Sequence, residues 1–250
     1  LADGEGYGGP RRLAAAEGAV GLAMGRDGAG DLVIAWSEVD EENLGNPFGN
    51  TTVMVSTSSD DGVTWTTPTE VLEVDGVALD LKVTAGDQSA LVTWLRPRGD
   101  MFAPSVHLEG VEITDGALGS VRTVEATVLS GYDVVWDGSS YMTLVIMADG
   151  GQIEMLTWSD GFGDGADFPI ANARSVATAM WDGSLYAGAT LAGGGTELWK
   201  LEGDVWMQVG ELLAAEVAAR GLALEPSGDR LAMLWMAGDD VEDGLWYAFF

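Results

Sequence analysis

One pattern recurs along this chain and constrains its fold more than any other feature: two alternating apolar segments joined by a short turn that contains glycine. It is repeated at intervals of about 40 to 60 residues. Two of the turns, Trp136-Asp137-Gly138-Ser139 and Trp181-Asp182-Gly183-Ser184, are near copies. Alternation on both sides of such a turn predicts a β-hairpin. The sequence therefore predicts an all-β chain of five units, with hairpins at residues 19–36, 77–95, 132–147, 175–191 and 221–236.

Each hairpin is followed by sequence suited to two further strands, except in the last unit. Residues 7–15 precede the first hairpin and are predicted to complete the last unit by pairing with residues 244–250, which would cover an open sheet edge. Residues 1–250 thus form one predicted domain of five four-stranded antiparallel units, closed by the N-terminal strand. Third strands are predicted at residues 51–57, 105–110, 152–158, 196–201 and 244–250, and fourth strands at 66–74, 120–126, 166–171 and 206–213.

The turn after the third strand of the first unit has a motif of its own, Ser-x-Asp-x-Gly-x-Thr-Trp. We expect Asp60 to accept backbone N–H bonds, Gly62 to adopt a positive φ and Trp65 to cover the corner. The motif resembles the Asp box of bacterial neuraminidase repeats and sialidase-like β-propellers. This resemblance implies a propeller, here with five blades, but not an activity. The residues that match are Ser58, Asp60, Gly62, Thr64 and Trp65.

The chain is strongly acidic, with 40 Asp and Glu against 11 Lys and Arg and a net charge of −29. Such a surface repels phosphate backbones and anionic lipids, so we predict neither nucleic acid as a partner nor membrane insertion. The lack of Cys and the single His argue against disulfides, Cys-based zinc sites and Ser-His catalysis. The acidic surface favours an extracellular or cell-surface location. Because the chain begins at Leu1 without a signal peptide, we expect it to belong to a longer chain or assembly.

The resemblance places function at the mouth of the central channel, where connecting loops converge. Acidic loops and several arginines are predicted to meet there. The leading prediction is a non-catalytic binding or assembly module that recognises a glycan or a protein. The candidate ligand-binding residues are Arg96, Arg98, Asp133, Arg174 and Arg220.

The alternative is a glycoside hydrolase acting at the same face. The resemblance implies that a sialidase holds its substrate with three arginines and uses a Tyr nucleophile, but the Arg-Ile-Pro signature of the first arginine is missing here. Tyr132 is therefore interpreted as a packing residue. A five-bladed glycosidase would instead use two carboxylates, for which Asp80 and Asp133 are candidates. Lys82 favours a structural ion pair, either with Asp80 or with a neighbouring blade.

Acidic turns at residues 160–165 and 239–243 suggest calcium as the one candidate cofactor. Calcium prefers carboxylate and carbonyl oxygens. Neither turn has the spacing of an EF-hand loop, so simple solvated turns are the alternative. The candidate metal ligands are Asp239, Asp240 and Asp243.

Overall fold

The computed structural model describes residues 13, 18–39, 49–74, 76–98, 105–124, 128–158, 166–211, 219–238 and 243–250. Every regular element in these ranges is a β-strand, and all strand pairs are antiparallel, which confirms the all-β prediction. The strands form five sheets that follow one another along the chain. Strands adjacent in sequence are neighbours in these sheets, as hairpin connections require, with one exception: the fifth strand of the second sheet pairs with the third.

The strand bounds follow the predicted repeats. Sheet 1 contains β1 (Ala19–Arg26), β2 (Leu32–Val39), β3 (Thr51–Ser58) and β4 (Thr69–Val74). Sheet 2 contains β5 (Leu79–Ala85), β6 (Ser89–Arg98), β7 (Ser105–Thr114), β8 (Ala117–Leu118) and β9 (Arg122–Thr123). Sheet 3 contains β10 (Val128–Trp136), β11 (Tyr141–Met147), β12 (Ile153–Trp158) and β13 (Ala166–Asp167). Sheet 4 contains β14 (Ala173–Trp181), β15 (Ser184–Leu191), β16 (Thr196–Glu202) and β17 (Val205–Glu211), and sheet 5 contains β18 (Ala219–Ser227), β19 (Arg230–Gly238) and β20 (Asp243–Phe249).

The outer strands differ most from the sequence-based expectation. In sheet 2, β7 runs on to Thr114 and turns back at Asp115-Gly116 into β8, so the predicted fourth strand at 120–126 is reduced to β9. The predicted strand at 166–171 is reduced to β13. Outer strands pair on one side only, so little local pattern distinguishes them from the loops on either side.

The two near-identical turns have different geometries. Asp182 and Gly183 form a two-residue turn with φ values of 48° and 70°, as a type I′ hairpin requires. In the other turn, the carboxylate of Asp137 accepts bonds from the N–H groups of Ser139 (2.7 Å) and Ser140 (2.8 Å). Burial acts to raise the pKa of Asp137, but these bonds outweigh it and the pKa is lowered. The same four residues therefore form either a tight turn or a wider loop.

The sheets pack face to face in chain order. The first strands β1, β5, β10, β14 and β18 lie side by side, and a hydrophobic cluster fills the gap between each consecutive pair of sheets. Gly25 on β1 shows how closely the first strands approach, because a Cβ there would lie 2.9 Å from the Val83 side chain and carbonyl oxygen. Trp94 and Tyr132 are the largest of the fully buried side chains in the first two gaps.

The outer faces of the first and last sheets are apolar and open to solvent. On sheet 1 this face carries Leu22, which is 74% exposed, and on sheet 5 it carries Tyr247, which is 71% exposed. Within the described ranges, β1 and β18 do not pack together as other consecutive first strands do. Apart from Leu13, the predicted closing strand at 7–15 lies outside the described residues, so closure stays a prediction. The other exposed apolar residues of these faces are Val20, Met24, Leu234, Met236, Leu245 and Phe249.

Candidate functional site

A cavity of about 370 Å³ lies among the first strands of sheets 2 to 5. Its wall combines an ion pair, a hydroxyl and a second carboxylate with aliphatic side chains, a mixture typical of small-molecule sites. The first strands thus contribute directly to the cavity, whereas the loops predicted to form the mouth lie mostly outside the described residues. The lining residues are Lys82, Asp133, Val134, Val176, Ala177, Thr178, Leu222, Ala223, Leu224 and Glu225.

Lys82, Asp133 and Thr178 form a polar network across three sheets. The Lys82 ammonium donates to Asp133 Oδ1 at 2.9 Å and to the Tyr132 carbonyl at 2.8 Å. Asp133 Oδ2 accepts from the backbone N–H of Thr178 at 2.6 Å and from its hydroxyl at 2.9 Å. The side chains of Lys82 and Asp133 are 28% and 20% exposed. Of the two pairings weighed for Lys82, the structure therefore shows the one with a neighbouring sheet.

Tyr132 is a packing residue, as the sequence suggested. Its side chain is buried in the cluster between sheets 2 and 3, and its hydroxyl donates to the carbonyl of Asp80 at 2.5 Å. Burial raises the pKa of the phenol well above 10. The Lys82 ammonium also lies 4.9 Å from the centre of the ring. A buried phenol that is already engaged as a donor is a poor nucleophile at neutral pH.

Asp80 lies two residues before Lys82 and has an unusual backbone conformation, with φ of 50° at a register shift in β5. Although much of the residue is exposed, desolvation of its carboxyl raises the pKa. The Lys82 ammonium opposes this shift, and the negative charge of Asp133 adds to it. An electrostatically perturbed carboxyl on a residue of unusual backbone conformation is a recurrent feature of functional sites, although Asp80 is not among the described residues that line the cavity.

The arginines predicted at the mouth occupy separate environments. Arg96 bonds to Glu109 at 3.0 Å, with the two side chains 14% and 1% exposed, and Trp94 Nε1 donates to the same carboxylate at 3.0 Å. Arg174 is exposed near the start of β14. Arg98 ends β6 and Arg220 lies near the start of β18, but their side chains lie outside the described residues. Of the three candidates whose side chains are described, Asp133 alone lines the cavity.

The turn at residues 58–65 is closed by its own side chains. Asp60 accepts from the hydroxyl (2.7 Å) and N–H (2.8 Å) of Thr64 and from the Ser58 hydroxyl (2.8 Å). These bonds, led by the Thr64 hydroxyl, lower the pKa of Asp60 to about 2. Gly62 has φ of 83°, and Trp65 Nε1 donates to its carbonyl at 3.2 Å. The turn has the local geometry expected from its sequence, at the end of β3.

The described residues contain neither a cluster of metal-ligating side chains nor a membrane-spanning helix. Those ranges contain no group of three or more Asp, Glu, His or Cys side chains arranged to hold a metal ion. Asp239 and Asp240, like the turn at 160–165, lie outside them, and the side chain of Asp243 is not described. The described part of the chain also contains no helix long and apolar enough to span a membrane.

The fold is that of a β-propeller of the kind found in sialidases and lectins, because solved structures of both resemble it. A sialidase of Trypanosoma rangeli, in complex with 2,3-difluorosialic acid as a covalent intermediate, matches 94% of this chain and 47% of its own, with a TM-score of 0.58 and 13% identity. AofleA from Arthrobotrys oligospora matches 92% of this chain and 69% of its own, with a TM-score of 0.54 and 13% identity. The SapL1 lectin in complex with alpha methyl fucoside matches 92% of this chain and 80% of its own, with a TM-score of 0.52 and 13% identity.

These likenesses establish the fold alone. The chain spans about half the length of the sialidases that it resembles. No protein-family model matches the sequence, and no curated protein matches it.

Sequence reasoning missed Thr178 and Glu225 as site residues. Thr178 meets Asp133 across 45 residues of sequence, and Lys82 meets Asp133 across 51. Both separations are about one repeat. A search for complementary side chains one repeat apart on the first strands would therefore have found this network.

Proposed function

We propose that this protein is a non-catalytic module that binds a glycan in the cavity between the first strands of sheets 2 to 5. The observation that carries the proposal is the cavity wall, where hydrogen-bonding groups of Lys82, Asp133 and Thr178 lie beside aliphatic residues. A sugar presents hydroxyls at its rim and C–H groups on its faces, so such a wall matches both. The fold shared with sialidases and lectins supports a carbohydrate ligand.

Binding fits the arrangement better than catalysis. Both carboxylate oxygens of Asp133 already accept hydrogen bonds, one from Lys82 and one from Thr178. A general base or nucleophile needs a lone pair that faces the substrate. The Tyr132 hydroxyl is buried and donates to Asp80. The network is therefore suited to holding the first strands together and presenting a fixed surface.

Asp80 supports one alternative, a glycoside hydrolase that acts at the same face. The raised pKa of Asp80 is the property required of a catalytic acid, and Asp133 or Glu225 would be the second carboxylate. Release of 4-methylumbelliferone from a panel of its glycosides, abolished by Asp80→Asn, would favour this alternative over binding alone.

Three finer features belong to the same proposal. We propose that the five sheets are the blades of one ring completed by residues 7–15, and that the turn at 58–65 is an Asp box. We also propose an extracellular or cell-surface location, supported by the net charge of −29. A protein ligand at the same face and calcium at Asp239, Asp240 and Asp243 are further proposals.

Filling the cavity tests the proposed site. Ala223→Leu places three additional carbons at the wall and should lower affinity on an immobilised glycan array by at least about tenfold. Ala117→Leu is the matched control, because Ala117 is exposed on β8 and does not line the cavity. Circular dichroism and the melting temperature show whether each variant is folded. If folded Ala223→Leu binds glycans as well as the control does, the ligand is not in this cavity.

A further inference from the structure

We propose that the cavity selects uncharged sugars and rejects acidic ones such as sialylated glycans. This inference rests on the proposed function. The selectivity follows from the charged groups on the cavity wall and from the hydrogen bonds that these groups already make within the protein.

Lys82 is the one cation among the described residues that line the cavity, and its charge is compensated within the protein. Its ammonium donates to Asp133 and to the Tyr132 carbonyl, and it lies over the Tyr132 ring. An ammonium has three N–H donors, so about one is left for a ligand. That is enough for a sugar hydroxyl. A ligand carboxylate would have to compete with Asp133, which holds the ammonium at 2.9 Å.

Glu225 makes the wall electrostatically unfavourable to anions. It is exposed on β18 and lines the cavity, so the lining residues carry two carboxylates against one ammonium. The net charge of −29 adds a long-range potential of the same sign. A carboxylate that enters would lose hydration and meet like charge, and no described lining residue offers it a free cation as partner.

A neutral sugar meets none of these costs. Its hydroxyls both donate and accept, so they can bond to free carboxylate lone pairs, to the third ammonium N–H and to backbone groups. Leu222, which is half-buried, provides apolar surface for the C–H groups of the ring. The wall is therefore complementary to a hydroxyl-rich, uncharged ligand.

The experiment uses an immobilised array of neutral oligosaccharides and their sialylated counterparts, followed by calorimetry on the tightest matched pair. The sialylated member should bind at least about tenfold more weakly. Glu225→Gln should reduce that discrimination several-fold. Asp204→Asn, which removes one charge from an exposed turn in sheet 4, should leave it unchanged. Raising NaCl from about 0.05 to about 0.5 M should also reduce discrimination, because like-charge repulsion is screened.

The outcomes separate the two proposals. Sialylated and neutral members that bind equally would overturn the selectivity while leaving glycan binding in place. If Glu225→Gln changes discrimination no more than Asp204→Asn does, the assignment of selectivity to this wall is overturned. Failure of every glycan on the array to bind would instead contradict the proposed function.

Discussion

The ion pair between Lys82 and Asp133 is expected to tie sheet 2 to sheet 3, and a double-mutant cycle measures how strongly. The two changes are Lys82→Met, which keeps an unbranched chain over the Tyr132 ring, and Asp133→Asn, which keeps an acceptor for Thr178. Each change removes one charge with little change in volume. The cycle therefore isolates the attraction between the charges from the packing around them.

The magnitude follows from partial burial, since the side chains are 28% and 20% exposed. Exposed ion pairs contribute about 0 to 1 kcal/mol, whereas removal of one partner of a buried pair costs about 3 to 5 kcal/mol. We expect Asp133→Asn to cost about 2 kcal/mol, because Lys82 keeps only a carbonyl acceptor. Lys82→Met should cost about 1 to 2 kcal/mol, because Asp133 keeps its bonds from Thr178. The coupling should be about 1 to 2 kcal/mol.

Urea unfolding followed by tryptophan fluorescence gives each free energy, provided that all four proteins share one m-value. The control cycle is Lys200→Met with Glu202→Gln, a pair within β16 at a similar distance of 3.0 Å whose carboxylate side chain is 57% exposed. That pair should show no measurable coupling. Coupling at Lys82 and Asp133 no larger than in the control would refute the argument that this network holds the sheets together.

Three other predictions follow from the same structure. NMR titration should give Asp60 a pKa of about 2, and Thr64→Val should move that pKa towards the ordinary value of 3.8. Because the pKa is lower in the folded state, the stabilisation that Asp60 contributes is complete above pH 3.8 and is lost as the pH falls towards 2. An unchanged pKa of Asp60 in the variant would contradict the role of the Thr64 hydroxyl. Deletion of residues 1–15 should expose the β20 edge and cause association in light scattering, whereas an unassociated protein with unchanged melting would rule out the proposed closing strand. The melting temperature should rise between about 0.01 and 1 M NaCl, because salt screens the repulsion among surface carboxylates. A larger rise with CaCl₂ at matched ionic strength would support calcium binding at 239–243. A melting temperature that does not change with NaCl would contradict the repulsion.

The inner hairpins could be predicted because their signals are local. Each depends on alternation over a few residues and on one turn, and the structure has all five where the sequence suggested. Outer strands such as β9 and β13 were overestimated, because pairing with one neighbour leaves a weak local pattern. The near-copied turns at Asp137 and Asp182 show a further limit. Trp136 pairs with Tyr141 whereas Trp181 pairs with Ser184, so the shared tetrapeptide alone does not determine the turn.

The candidate site was harder to predict because its contacts join different sheets. Asp133 was identified from its position on a first strand, but its partners Lys82 and Thr178 lie 51 and 45 residues away. Arg96 was assigned to the mouth because it was placed in a connecting loop, whereas it lies on β6 and bonds to the buried Glu109 on the adjacent strand. A charge pattern in sequence does not reveal which carboxylate an arginine has already engaged.

The position of the cavity has a physical explanation in the free edges of the first strands. Each first strand pairs with its own sheet on one side, so half of its backbone groups face the neighbouring first strands and need other partners. On β10, the carbonyls of Tyr132 and Val134 accept bonds from Lys82 and Thr84, and on β14 the N–H of Thr178 donates to Asp133.

The free edge of β18 also borders the cavity. Leu222, Ala223 and Leu224 of β18 line the cavity there. Unpaired strand groups beside an open space are natural partners for ligand hydroxyls. We therefore expect a small polar ligand in this cavity to bond to the free edge of β18 as well as to the side chains of Lys82, Asp133 and Thr178.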